Sequence, residues 1–368
     1  MKAEGSERVV FLDYLRVAAC FMVMVVHACE QYYFGADGGL SIASRRDAFW
    51  VTLLDSAVRA AVPLFVIASS YLLFPVTRPT GEFFCRRARR VLLPFALWAV
   101  VYTWRFGGEW SQLAFNFPAA TGGHLWFVPM LCGLYLLMPL ITPWAERSGR
   151  REAGLYFGVW LFTTTFPFLR MLARHCLGEP AFGAVPFLYG ECPWNGFGMF
   201  HYVSGFFGYL LLGLLFRRFL AEWSWAKTLA VALPLWATGM AIVWLGFYLR
   251  LPGGGFPVQG PYALAVELEH SWEFCGTGVA LTAVAYFLVL RKCGFAGVFY
   301  RRLVLPLSRA SYAMYLLHIL VLVALAPLIM PHCANPWAIL VLAAATFVVS
   351  ALAALVLRRL PLIGKWVG

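Results

Sequence analysis

The sequence predicts an all-α polytopic membrane protein, with about ten transmembrane helices and both termini cytoplasmic. Three observations carry that reading. Of 368 residues, 62% are hydrophobic and only 12% charged, which leaves too little polar surface to cover a soluble domain. The apolar runs are continuous and many approach ~20 residues, the length that crosses ~30 Å of hydrocarbon at ~1.5 Å per residue. Backbone groups in lipid must be satisfied internally, and continuous rather than alternating runs select helices over a closed barrel. Finally, the basic residues gather at the ends of the runs.

In chain order the expected spans are Val9–Cys29, Phe49–Pro75, Arg90–Trp104 (short and proline-led), His124–Trp144, Ala153–Arg170, Met199–Phe216, Lys227–Leu249, Ser271–Leu290, Ala310–Ile329 and Trp337–Leu357. With the N-terminus inside, 21 of the 29 Lys and Arg fall on the cytoplasmic side and six on the other; Arg16 and Arg59 lie within spans. No alternation is broken, so the net charge of +12 reads as membrane topology and no nucleic-acid partner is expected. The longest outer connection, Met171 to about Gly198, is rich in Gly, Pro and aromatics; a second outer loop is Leu251–Tyr262. With no repeat, low-complexity tract or fused soluble part in view, residues 1–368 read as one membrane-embedded domain. The first apolar run carries charges and lacks a small-residue cleavage site, so no cleavable signal peptide is expected. No Walker or dinucleotide glycine fingerprint is present, which argues against an energy-coupled pump. The nine cysteines form no C-x-x-C pair; Cys20 and Cys132 read as packing residues, and Cys176 and Cys192 share a loop that permits a disulfide.

The first span, LDYLRVAACFMVMVVHA (Leu12–Ala28), carries Asp13, Arg16 and His27. Arg16 and His27 are eleven positions apart, about 20° around a helix and ~16 Å along it, so they share a face. An ionised side chain in mid-span costs roughly 3 kcal/mol and normally faces protein or a water-filled cavity. Asp13 lies one turn from Arg16 and is placed to pair with it. A structural ion pair plus an interfacial histidine satisfies these facts. So does a passage with a cation near one mouth and a titratable imidazole, a natural general base, near the other.

Further polar residues map to the outer ends of spans: Glu30, His124, His201, Glu267, Glu269, His270 and Glu273. Glu273, about one turn into its helix, is the carboxylate chosen to orient a catalytic imidazole. His124 is a candidate for contact with the reacting groups, and His318 is either a core or a functional histidine. The outer-end histidines lie on separate spans with no ligand spacing, so no metal is expected. Tyr189 and Trp194 are candidates to stack on a sugar ring, or members of the interfacial aromatic belt. Arg86, Arg87, Arg89 and Arg90 cluster on the cytoplasmic side, and Arg59 precedes Pro63 in the second span.

Five segments together resemble the acyltransferase-3 membrane family. They are L-D-Y-L-R followed after ten residues by His27; AVPLFVIASSY (Ala61–Tyr71); CRRARRVLLP (Cys85–Pro94); HLWFVPMLCGLYLLMP (His124–Pro139); and SRASYAMYLLH (Ser308–His318). The resemblance runs over about residues 8 to 357, with Ser70 standing where the family usually has Gly. It implies transfer of an acyl group, most often acetyl, from cytoplasmic acyl-CoA to an extracytoplasmic hydroxyl, usually on a sugar or glycolipid, in a bacterial inner (plasma) membrane. It also implies that Arg16 and His27 are the functional pair. Physical chemistry adds expected roles. Arg16, Arg59, Arg86, Arg87, Arg89 and Arg90 hold the anionic donor, since guanidinium groups bind phosphate by charge-assisted hydrogen bonds. His27, Arg16 and Glu273 act in catalysis, and His124, Tyr189 and Trp194 contact the acceptor. Direct attack on the thioester and a brief acyl-His27 both remain open. The alternative reading is a transporter or flippase for a glycan or lipid intermediate, with the same charges lining a path.

Overall fold

A computed structural model describes residues 8–34, 42, 44–107, 110–111, 123–169, 176, 196–250, 272–361, 364 and 366–368. Tyr189, Trp194 and the Cys176–Cys192 pairing lie outside the described residues. The chain is helical: α1 (Val10–Tyr33), α2 (Arg45–Val58), α3 (Ala61–Leu73), α4 (Thr80–Arg87), α5 (Leu93–Phe106), α6 (Phe127–Arg147), α7 (Arg150–Thr163), α8 (Phe207–Phe219), α9 (Trp225–Arg250), α10 (Thr277–Leu290), α11 (Leu305–Ile329) and α12 (Trp337–Leu357). Among the described residues, six stretches are long and apolar enough to cross a membrane: Val10–Tyr33, Arg45–Leu73, Gly123–Arg147, Trp225–Gly246, Tyr300–His332 and Trp337–Leu357. The protein is therefore a multi-pass membrane protein. The other four expected spans fall on shorter helices: α5, α7 and α10 have 14 residues each and α8 has 13.

Helix α1 lies at the centre, packed against α2, α3, α10, α11 and α12. Its buried set runs round much of the cylinder, from Leu12 and Leu15 through Ala19 and Met24 to Ala28 and Tyr33. Lipid covers the outside of such a bundle, so apolarity alone does not say which face packs on protein.

Prolines make the breaks. Pro63 has no N–H, so the Arg59 carbonyl loses its helical donor, and the path from α2 to α3 breaks at Arg59 and Ala60. Pro94 does the same for the Arg90 carbonyl. The preceding turn, Ala88–Leu92, opens into a π-helix in which the Leu93 N–H reaches the Ala88 carbonyl. The turn Tyr300–Val304, ahead of Pro306, repeats that geometry, with the Leu305 N–H on the Tyr300 carbonyl. The two turns share the pattern Arg-Arg-x-x-Leu-Pro, at Arg89–Pro94 and Arg301–Pro306.

Ser70, the departure from the family pattern, donates to the Leu210 carbonyl at 2.6 Å. Opposite it stands Gly213, where a Cβ would come within 2.5 Å of Ser70 Cβ and Oγ and 2.9 Å of the Ile67 carbonyl oxygen. The extra atoms of the serine are accommodated by the glycine on α8. Gly213→Ala is expected to destabilise the protein by about 1–3 kcal/mol through overpacking, read as a lower thermal midpoint in detergent. An unchanged midpoint would contradict the α3–α8 contact.

Candidate active site

Helices α1 and α11 run side by side in the same direction, since their contacts pair the start of one with the start of the other. At one end Ser308 donates to Asp13 Oδ1 at 2.6 Å. At the other, the rings of His27 and His318 have centroids 5.0 Å apart. The intervals Asp13–His27 and Ser308–His318 each amount to three or four turns, so one pair of helices sets both ends of the site.

Asp13 is more than a partner for Arg16. It is 1% exposed and receives Arg8 through Nε and Nη2, both at 2.7 Å. Tyr300 Oη donates to it at 2.7 Å. Arg16 Nη1 stands 3.9 Å from Asp13 Oδ1. The expected Asp13–Arg16 pair is present as the longest of these contacts. Hydroxyls from α11 and its preceding turn, with a guanidinium from ahead of α1, fill the carboxylate and leave Arg16 at its edge. A carboxylate so buried is retained because every lone pair finds a donor.

A cavity of about 850 Å³ opens between α1, α3, α5, α6 and α11, and both Arg16 and His27 line it. Their shared face, inferred from an eleven-residue interval, is what turns them to one space. Arg89, Arg90, Arg309 and Arg358 also line the cavity. The π turn that carries Arg89 and Arg90 is held to α11 by Tyr312 Oη, which donates to the Val91 carbonyl at 2.8 Å. Arg358 donates to the Arg309 carbonyl. Among the residues lining the cavity the acidic one is Glu30. The arginine-rich part of the space is therefore cationic, and its chemistry suits a polyanion.

The other end is built on imidazoles. His27 Nδ1 lies 2.6 Å from Glu30 Oε2, three residues on along α1. The carboxylate beside the His27 imidazole is thus Glu30. Glu273 lies ahead of α10, its carbonyl accepting the Gly276 N–H at 2.9 Å, and is not among the residues lining the cavity. His124 lines the cavity from the 3-10 turn Gly123–Trp126 that leads into α6. Its carbonyl accepts from Tyr315 Oη at 2.6 Å. The His124 ring is 6.2 Å from that of His27 and 5.2 Å from that of His318. No grouping of His, Cys, Asp or Glu arranged to hold a metal ion is found among the described residues.

Arg59 is 4% exposed and belongs to the His27 end. Its Nε is 2.6 Å from Asp55 Oδ1, its Nη2 is 3.3 Å from Tyr33 Oη, and its guanidinium lies over Trp272 and Phe274 at 5.0 and 5.6 Å. The internal acidic partner that sequence logic allowed for it is Asp55. The remaining expected donor-binding arginines divide. Arg89 and Arg90 reach the cavity; Arg86 pairs with Glu82 at 2.8 Å, and Arg87 lies over the Phe83 and Tyr135 rings at 5.9 and 5.7 Å. Arg309 and Arg358 add to the arginines expected from the sequence. Arg309 had a local signal, since it sits inside SRASYAMYLLH; Arg358 looked like any basic residue that ends a membrane helix.

An imidazole–carboxylate pair orients the base and balances the charge it gains. In Glu30→Gln the amide can present its NH₂ to Nδ1 and push the proton onto Nε2, the wrong tautomer for a base. We expect kcat to fall about 10²-fold with substrate KM unchanged, measured by steady-state turnover. An unaltered kcat would remove Glu30 from the mechanism.

A helical membrane bundle with arginines and imidazoles lining one and the same cavity suits a membrane-embedded group-transfer protein. The chain belongs to the acyltransferase-3 family: the family model, described as an acyltransferase domain, matches residues 9–355, nearly the whole sequence. Neither a curated protein nor a solved structure gives a match.

Proposed function

We propose that this protein is an integral membrane O-acyltransferase. It moves an acyl group, acetyl in the simplest case, from cytoplasmic acyl-CoA to a hydroxyl of an extracytoplasmic sugar or glycolipid, in a bacterial inner membrane. The observation that carries this reading is the single cavity lined by both Arg16 and His27. Acyl-CoA is a polyanion on a long thin arm. Its phosphates fit the end with Arg16, Arg89 and Arg90, and its pantetheine arm is comparable to the ~16 Å rise between Arg16 and His27. The arginine-rich end faces the cytoplasm on the charge distribution of the loops.

With Glu30 holding Nδ1–H, the His27 Nε2 lone pair is the base. It takes the proton from the acceptor hydroxyl as the oxygen attacks the thioester carbonyl. The C–S bond breaks, and the proton held on His27 passes to the departing sulfur. Arg59, close to Glu30 and Tyr33, is placed to offset charge on the thioester oxygen.

The test is incubation of purified protein in detergent with acyl-labelled acetyl-CoA and a pool of envelope glycans. Label is expected in the glycan, with free CoA released in equal amount. Absence of both acyl-CoA binding and acyl-CoA consumption would overturn the reading and return the transporter alternative.

A further inference from the structure

His318 lies within α11 and is 0% exposed. Its Nδ1 is 2.5 Å from the carbonyl oxygen of Tyr315. A carbonyl oxygen only accepts, so Nδ1 carries the proton, and Nε2 of the neutral ring is a bare acceptor. That Nε2 is buried and has no hydrogen-bond partner. A sealed lone pair without a donor is unfavourable in the resting protein and asks for a reason.

The neighbouring ring supplies one. His27 stands 5.0 Å away, centroid to centroid, tilted by 44°. Glu30 occupies the Nδ1 side of His27, so a proton arriving during the reaction goes to Nε2 and the ring becomes cationic. Around this pair are His124, whose ring is 5.2 Å from His318 and whose Nε2 is also buried and unpartnered, and Tyr315, whose ring is 5.9 Å from His318. Arg59 completes the set of charged groups near Glu30.

We propose that His318 is a positioning residue for acyl transfer, its fixed, unprotonated Nε2 stabilising the positive charge that arises on His27. The inference rests on the reaction proposed above. In the ground state two neutral rings face each other with little to gain. Once the acceptor proton reaches His27, the same lone pair attracts the imidazolium. An interaction that strengthens only as charge develops lowers the barrier, and a group already held in place needs no reorganisation. His318 exchanges no proton. The O–H proton moves to His27, the O–C bond forms, the C–S bond breaks and the proton ends on sulfur.

The experiment compares His318→Phe, His318→Gln and His27→Ala with wild type. Each is purified, checked for a monodisperse profile and thermal midpoint, and assayed with acetyl-CoA and an envelope-glycan pool. His318→Phe keeps the ring volume and removes the acceptor; its kcat is expected to fall at least about 10-fold with both KM values unchanged. His318→Gln restores an acceptor oxygen and is expected to recover part of that loss. His318→Met gives the same comparison should the Phe variant fail to purify. Wild-type kcat in the Phe or Met variant, or a Gln variant as slow as Phe at equal stability, would overturn the proposal. If His27→Ala retains full transfer, the acyltransfer mechanism itself falls; if it is inactive while His318→Phe is wild type, only the role of His318 falls.

Discussion

His27→Ala is expected to lower kcat about 10²- to 10⁴-fold, the range a positioned general base supplies, while acyl-CoA still binds. The separation of the two effects follows from the cavity. His27 lines the space near Glu30 and His124, whereas the arginines suited to phosphate are Arg16, about three turns earlier on α1, and Arg89 and Arg90 on the π turn. Removing the imidazole takes away the proposed acceptor of the hydroxyl proton and the proposed carrier that returns it to sulfur. Glu30 then loses its hydrogen-bond partner and keeps the more distant Arg59. Acyl-CoA binding by calorimetry, run beside single-turnover transfer, distinguishes this outcome from misfolding. Full transfer by the alanine variant would remove His27 from the chemistry.

Arg16→Ala is expected to act on the donor. A hydrogen bond to a charged group is worth about 1.5–3 kcal/mol, so losing one raises the acyl-CoA KM roughly 10- to 100-fold. Arg16 stands 3.9 Å from the nearest oxygen of Asp13, a carboxylate already filled by Arg8, Tyr300 and Ser308. Its guanidinium is thus more available to a ligand than an ordinary paired arginine. Arg16→Lys keeps the charge but not the planar fork and is expected to fall between alanine and wild type. Arg301 and Arg302, on the second π turn, are exposed and do not line the cavity; replacing both is expected to leave donor KM near wild type. A wild-type donor KM for Arg16→Ala would contradict the assigned role.

Helical class and the shared face of Arg16 and His27 were legible in the sequence because they depend on local geometry: run length, and about 100° per residue over eleven residues. The partners of the charges were not. An i,i+3 rule offered Asp13 to Arg16, but three donors from elsewhere, two of them nearly 300 residues away, held the carboxylate better. The same rule applied to His27 and Glu30 would have been right. It was passed over because a carboxylate at a helix end reads as solvated, and Glu273 looked deeper in its span. Arg309 and Arg358 were hidden for a related reason: topology places many basic residues at helix ends, and only the tertiary fold selects those that face the cavity. The π turns came from prolines visible in the sequence, yet their effect on the preceding arginines needed the backbone.

The central claim is that one cavity lets a donor entering among arginines present its thioester to His27. The most direct measurement is a structure of the protein with a non-hydrolysable acyl-CoA analogue bound. The account requires phosphates on Arg16, Arg89 or Arg90, a pantetheine arm along α1 and α11, and the acyl carbonyl carbon within about 4 Å of His27 Nε2, near the separation reacting groups need. An analogue whose acyl carbon rests outside this cavity, or at its arginine end with His27 beyond reach, would contradict it.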